Sequence, residues 1–318
     1  MMDVTGSVGA GPKPDRVDAK GNLSQSDGEY EDAKPVEDTP EEVPKRKGSG
    51  YLYTPNGPTA KAYSMNGSKR GRVLIFNHVK FEDPSYDERV GTNRDVDRLY
   101  KVLPRLGFSK EDITVYEDYS YSEINRIAVK LEYDEDLKQA DCLMVFILTH
   151  GEEGDKLMAQ DDSYNLYKFL ENFTPTSLNS MAGKPKLFFI QACRGSKLDR
   201  GVQLKAQLIQ ADCIKDFTDS QSETYTYPEF ADLLIVMSSH HGHYSFRNET
   251  GSWLIQELCN VIESCESLET ISIYDILTET NDAVSKRISN ADGEKDKKKQ
   301  IPSFYSTLTK KLYFGPLE

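Results

Sequence analysis

Cys142-Leu143-Met144-Val145-Phe146-Ile147-Leu148, running on into Thr149-His150-Gly151, is the strongest strand signal in the chain. Apolar residues in an unbroken run, without alternation, predict a strand buried on both faces, as in a parallel sheet covered by helices on each side. Lys186-Leu187-Phe188-Phe189-Ile190 repeats the pattern and runs into Gln191-Ala192-Cys193-Arg194-Gly195. Val73-Leu74-Ile75-Phe76, residues 113–116, Leu233-Leu234-Ile235-Val236 and residues 304–308 read as further strands. Helical spacing lies between them. Gly91-Thr92 opens a pattern in which Val96, Leu99, Tyr100, Leu103 and Leu106 recur at three and four, and Pro104 should shorten its last turn. Ser120 and Glu123 predict a capping box ahead of Ile124, Ile127 and Leu131. Leu254, Leu258, Val261 and Ile262, then Ile273, Ile276, Leu277 and Val284, predict two later helices. Strand and helix alternate, so the expected class is α/β with a mainly parallel sheet and helices on both faces.

Composition narrows the function classes. The 318 residues carry 39 Lys and Arg against 52 Asp and Glu, a formal charge of −13, which disfavours a broad phosphate-binding face and nucleic acid as a partner. No apolar run reaches the ~18 residues of a membrane span, and no apolar signal-peptide core opens the chain. No membrane partner is expected, and the reducing cytoplasm is the expected compartment. The five cysteines are too sparse for a disulfide framework, so any that matters should be chemical. The first 50 residues hold five prolines, seven glycines and one aromatic, too little apolar surface to offset ordering entropy. They read as a disordered arm. Residues 196–228 and 289–300 read as loops, the first about 30 residues long and so expected to be functional or disordered.

The chemistry sits where two buried strands end. Open parallel sheets place their sites beyond the carboxyl ends of the strands, so His150 and Cys193 should emerge on one edge. A thiolate is a strong nucleophile, and an imidazole can take its proton and return it to a leaving amine. Gly151 allows close backbone approach, so its N–H and that of Cys193 could face a developing oxyanion. Taken singly, a cysteine or histidine after a strand is most often an ordinary buried residue. The pair, at the ends of two fully apolar strands, points to acyl transfer through a thioester.

Gln191-Ala192-Cys193-Arg194-Gly195, with His150 43 residues upstream, resembles the caspase signature. Ser64-Met65-Asn66, Ile75-Phe76-Asn77, Arg89-Val90-Gly91-Thr92, His150-Gly151-Glu152-Glu153-Gly154, Gly183-Lys184-Pro185-Lys186-Leu187-Phe188, Tyr244-Ser245-Phe246-Arg247-Asn248, Gly251-Ser252-Trp253 and Lys299-Gln300-Ile301-Pro302 resemble family motifs in family order. Asn77-His78 and the short arm are most similar to insect short-prodomain effector caspases. The resemblance implies a caspase-like, mainly parallel six-stranded sheet per catalytic unit, and an aspartate-specific cysteine endopeptidase made as a zymogen and acting in apoptosis. It implies Cys193 as nucleophile, His150 as general acid/base, and Gly151 and Cys193 as oxyanion donors. It also implies Arg89, Gln191 and Arg247 around a substrate aspartate, with Tyr244, Ser245, Phe246 and Trp253 lining the groove. Two guanidinium forks suit one carboxylate, and a substrate can add as a strand beside Ser245 and Arg247. No metal or organic cofactor is implied.

The sequence departs from the family in places. Phe246 stands where tryptophan is usual, leaving an aromatic floor without an indole N–H. His240, His241 and His243 crowd the preceding loop; no suitably spaced cysteine pair supports zinc there, and the loop reads as solvated or pH-sensitive. Residues 289–298 lack phenylalanines seen in some effector relatives.

Asp216-Phe217-Thr218-Asp219 before Ser220 has the Asp-x-x-Asp form that such enzymes cut, so the expected division is a large subunit over 63–219 and a small subunit over 220–318 of one catalytic domain. Asp199 and Asp212 are poorer candidates. The arm reads as a propeptide over 1–32, cut after Asp32 or Asp27, followed by a flexible extension over 33–62. A cut after Asp32 would free Ala33-Lys34-Pro35-Val36, which resembles the alanine-led tetrapeptides bound by inhibitor-of-apoptosis proteins. A homodimer of large/small subunit pairs and an upstream initiator caspase follow from the same resemblance. Two alternatives stand beside it. One is a catalytically weak homologue acting by dimerisation or sequestration. The other is a metacaspase-like or legumain-like peptidase, whose basic or asparagine preference would not want Arg89 and Arg247.

Overall fold

The computed structural model describes residues 54–201 and 228–315, together with the backbone of a two-residue strand, β1, at Arg16–Val17. Of the sequence expectations, those at Asp27, Asp32, Ala33, Asp212, Asp216 and Asp219 lie outside the described residues.

The central sheet has six strands: β2 (Lys69–Asn77), β3 (Ile113–Glu117), β4 (Ala140–Leu148), β8 (Lys186–Gln191), β9 (Leu233–Met237) and β12 (Ser303–Ser306). Their order is β12-β9-β8-β4-β2-β3. Five run parallel, and β12 lies antiparallel on the β9 edge. This is the six-stranded, mainly parallel sheet that the sequence implied.

The unbroken apolar runs are explained by what covers each face. Val73 and Ile75 of β2 join Met144, Phe146 and Leu148 in one core with helices α1 (Thr92–Val102), α5 (Trp253–Ser264) and α6 (Ile273–Lys286). Leu74 and Phe76 join Leu143, Val145 and Ile147 in the other, with α2 (Tyr121–Lys130), α3 (Glu135–Lys138) and α4 (Leu166–Leu170). Successive side chains point to opposite faces, so both parities must be apolar. All nine β4 residues are buried. Phe146 and Phe189, opposite each other across β4 and β8, stack with centroids 4.8 Å apart.

Local signals behave as their chemistry dictates. The α-helix α1 stops at Val102 and passes into a tighter 3-10 turn over Leu103–Leu106, with Pro104 at its start, that Gly107 closes in the left-handed region (φ 90°). Ser120 and Glu123 form both arms of the capping box. Two small sheets carry no apolar period. One is β5 (Gly151–Glu152), β6 (Lys156–Met158) and β7 (Ser163–Asn165); the other is β1 with β10 (Phe246–Asn248) and β11 (Gly251–Ser252). Among the described residues no helix is long and apolar enough to cross a membrane, and Cys142, Cys193, Cys259 and Cys265 are buried.

Register at the start of the sheet depends on Gly71. It pairs with Cys142 at φ 139°, and a Cβ there would lie 1.8 Å from the Cys142 carbonyl oxygen. Gly71→Ala therefore combines a disfavoured φ with a backbone clash and should cost about 3 kcal/mol or more. Chemical denaturation read by circular dichroism checks this; an unchanged midpoint would contradict it.

Candidate active site

Backbone hydrogen bonds carry the sheet's parallel register past the strand ends. Leu148 stands opposite Gln191, and the next N–H, that of Thr149, donates to the Gln191 carbonyl at 3.0 Å. His78 N–H donates to the Leu148 carbonyl (2.9 Å) and Ser238 N–H to the Ile190 carbonyl (2.9 Å). Four loops are thus fixed on one edge. His150 and Cys193, each two residues beyond its strand, emerge together there, both buried.

Gly151 is the tightest point. A Cβ on it would lie 2.1 Å from the Cys193 carbonyl oxygen, a space that only glycine fits. The Cys193 sulfur receives the Ser245 N–H at 3.2 Å, a bond that a thiolate accepts more strongly than a thiol. Ser245 is itself anchored: its hydroxyl donates to the Ala192 carbonyl (3.0 Å) and lies 2.6 Å from the Ser238 hydroxyl, which accepts the Ala192 N–H (3.2 Å).

His150 is oriented by its Nε2, 2.7 Å from the Asp87 carbonyl oxygen. A carbonyl only accepts, so Nε2 carries the proton and Nδ1 holds the lone pair of the neutral ring. Phe81 and Tyr86 flank the imidazole, with centroids 4.9 and 5.5 Å away, and Tyr86 is tethered to Glu152 at 2.5 Å. His78, buried next to this cluster, has its pKa lowered to about 3 by burial, with Arg89 and His150 adding to the effect, so it stays neutral at physiological pH.

Two arginines are buried on the neighbouring segments. Arg89 donates to the His78 carbonyl (3.1 Å) and the Thr92 hydroxyl (2.8 Å). Arg247, on β10, donates to the carbonyl of Val90, the residue next to Arg89. Gly91 makes the approach feasible, since a Cβ there would lie 2.2 Å from the Asn248 carbonyl oxygen. Gln191 is buried at the end of β8. The Phe246 N–H is held by Gln300 Oε1 (2.6 Å), whose Nε2 donates to the Ser238 carbonyl (2.7 Å). The Phe246 ring rests on Trp253, centroids 4.9 Å apart, and the Arg287 guanidinium lies over the Trp253 ring at 5.8 Å from its centroid. Tyr244 is buried and faces Lys295 at 5.8 Å. Every sequence-predicted site residue among those described is therefore gathered on this edge.

The histidine loop packs on the other side of the cysteine loop: Gly242 N–H donates to the Arg194 carbonyl (2.9 Å) and Arg194 N–H to the His243 carbonyl (3.1 Å). His240 and His241 are exposed. Among the described residues no three His, Cys, Asp or Glu side chains are grouped to hold a metal.

Sequence reasoning missed several contributors. Asp87 acts through its carbonyl and leaves no side-chain signal. Gln300 stands within a family-like motif that gave it no role. Asp118, left-handed at φ 53°, receives the Val79 N–H at 2.6 Å and fixes the loop before Arg89; an Asp just past a strand is its only trace. Asp95, fully buried on α1, accepts the Ser252 N–H (2.9 Å) and the Gln256 amide (2.7 Å), tying the β10–β11 hairpin to the helix that follows Arg89.

A family model described as the caspase domain matches residues 70–313. The chain is 40% identical over 261 residues to Caspase-1 of Spodoptera frugiperda, covering 80% of this chain and 82% of that protein. It is 38% identical over 260 residues to Caspase drICE of Drosophila melanogaster (80% and 73%) and 36% identical over 315 residues to Caspase-7 of Gallus gallus (98% and 97%). The crystal structure of the Spodoptera Caspase-1 matches with a TM-score of 0.73 at 37% identity, covering 84% of this chain and all of that one.

Burial pushes the Asp95 pKa up to about 6, against the opposing pull of Gln256, Ser252 and Arg89. A raised carboxyl pKa favours the folded state below the unfolded value near 3.8, and that contribution is lost as pH rises through about 6. Asp95→Asn removes the ionisation, so its stability relative to the parent should rise by about 2 kcal/mol between pH 4 and 7. Parallel denaturant titrations across that range check it. A flat difference curve would show that burial does not raise this carboxyl.

Proposed function

We propose that this chain, which belongs to the caspase family, cuts its protein substrates after aspartate through a thioester on Cys193, with His150 moving the proton. Family membership makes it a cysteine endopeptidase with aspartate specificity, an apoptotic effector built on the dimeric caspase architecture. The roles given to individual residues are our reading. What carries them is the common edge on which the register of β4 and β8 sets Gly151, His150 and Cys193.

In this reading the Cys193 sulfur adds to the carbonyl carbon of the substrate aspartate, and the N–H groups of Gly151 and Cys193 receive the oxyanion. His150 Nδ1 accepts the thiol proton and passes it to the leaving amine, while Asp87 keeps Nε2 protonated throughout. Water then hydrolyses the thioester. The substrate carboxylate is held by Arg89 and Arg247 with Gln191 as a neutral donor. A buried cationic pocket rejects asparagine and alanine because they leave its charges uncompensated. Ser245–Arg247 pair with the extended substrate, and Phe246 on Trp253, beside Tyr244, forms the floor of the groove. The alternative of a catalytically weak, partner-binding homologue gains no support from the comparisons.

The activation scheme belongs to the same proposal: a zymogen cut after Asp219 into subunits over 63–219 and 220–318, with upstream cutting by an initiator caspase. Propeptide removal after Asp32 or Asp27 and capture of a free Ala33 terminus by an inhibitor-of-apoptosis protein are its further parts. For the dimer, the support is β12, the edge of the sheet, which exposes Phe304 (37%) and Tyr305 (59%). A cytoplasmic location belongs to the same reading, supported by cysteines too sparse for a disulfide framework.

Recombinant protein should turn over tetrapeptides ending in Asp, and not those ending in Arg or Asn. Cys193→Ala should abolish turnover while leaving the fold intact. Arg247→Lys, which keeps the charge but loses the fork, should lower kcat/KM for the Asp peptide by roughly a hundredfold. Equal turnover of Asn and Asp peptides would overturn the carboxylate pocket.

A further inference from the structure

β10 is bonded on one side to β11, and on its other side to β1. The pairing is antiparallel, with Arg16 opposite Arg247 and Val17 opposite Phe246. So the N-terminal arm occupies the edge to which a substrate strand would add. The direction is also that of a substrate. As β1 runs forward, its partners run backward from Arg247 to Phe246, and the next position would face Ser245. The Ser245 N–H is the one that points at the Cys193 sulfur.

The sequence at this point is Asp15-Arg16-Val17-Asp18-Ala19. It has the Asp-x-x-Asp form followed by a small residue, the same form as Asp216–Asp219 before Ser220. The register assigns its second and third residues to Arg247 and Phe246. One step further along β10's side of the ladder stands Ser245, whose N–H meets the Cys193 sulfur, and the motif has its second aspartate one residue after Val17. Motif and register are independent observations, and they select the same aspartate. Sequence reading alone favoured Asp32 and Asp27, neither of which adjoins β1 in sequence.

We infer that Asp15–Asp18 is a tethered substrate, which adds to β10 of its own chain and is cut after Asp18. This rests on the reading of Cys193 and its groove given above. The sulfur adds to the Asp18 carbonyl carbon, the Asp18–Ala19 C–N bond breaks, and the Ala19 amine leaves with the proton carried by His150. Water then cleaves the thioester to give the Asp18 carboxylate and restore the thiol. The 36 residues from Asp18 to Thr54 can span up to ~120 Å, so the chain can reach its own groove. Tethering gives the segment a high effective concentration without new contacts. Until it is cut, the arm competes with any other substrate for β10.

The full-length protein, allowed to mature until it hydrolyses an Asp-ended tetrapeptide, should contain chains beginning at Ala19, detected by N-terminal mass spectrometry. They should appear before any that begin at Gly28 or Ala33. Asp18→Ala should yield no chain beginning at Ala19 and still hydrolyse the tetrapeptide. The rate constant for appearance of the Ala19 terminus should be unchanged on roughly hundredfold dilution, whereas cutting between molecules would slow by the dilution factor. Peptide turnover without an Ala19 terminus would overturn the tethered substrate and leave the activity intact. A rate proportional to concentration would overturn its tethered character. Absence of peptide turnover would instead overturn the functional reading on which it rests.

Discussion

Leu148 and Gln191 lie side by side in the parallel pair of β4 and β8, and the Thr149 N–H extends that ladder by one more bond. Everything at the reactive edge depends on this register. A shift of one residue would reverse the faces of a strand and carry either His150 or Cys193 into the core. The register is held from both sides, because each strand buries alternate residues in two separate cores. Stacking of Phe146 on Phe189 adds a contact that fits only one alignment. The sheet therefore fixes the separation of two reactive groups that lie 43 positions apart in sequence.

The second constraint is electrostatic. Arg89 and Arg247 are both buried; carbonyls and a hydroxyl accept their N–H groups, and the Asp95 carboxyl lies within electrostatic reach of Arg89. Concentrating cationic charge in a low-dielectric corner raises the value of an incoming carboxylate far above what a surface arginine would give it. The cost is a fold with little tolerance there: Gly91, Gly151 and Gly195 all sit where a Cβ would strike backbone. Close approach of chains, rather than flexibility, is what these glycines provide.

Much of this is legible in the amino-acid sequence alone. Strands buried on both faces announce themselves as apolar runs, and the ends of two such runs carry the cysteine and histidine. Pro104 and the Ser120–Glu123 box mark helix boundaries correctly because their effects are local. The small sheets are invisible there, since two- or three-residue strands have no room for a period. Asp95, Asp118 and Gln300 are silent because each works across large sequence separations, tying together loops that only the fold makes neighbours. Arg16–Val17 is hidden for a further reason: its surroundings are poor in apolar residues, and its pairing comes from main-chain hydrogen bonds, which composition does not register.

The group that orients His150 is a backbone carbonyl. Every amino acid supplies one, so side-chain replacement at position 87 does not remove the acceptor from the chain. A survey of substitutions would find two sharp positions, 150 and 193, and an unremarkable one at 87. The loop's path, held by Asp118 and by the rings of Phe81 and Tyr86, becomes the heritable part of the device. Mutational damage to the imidazole's orientation would then map to residues that never touch its ring nitrogen.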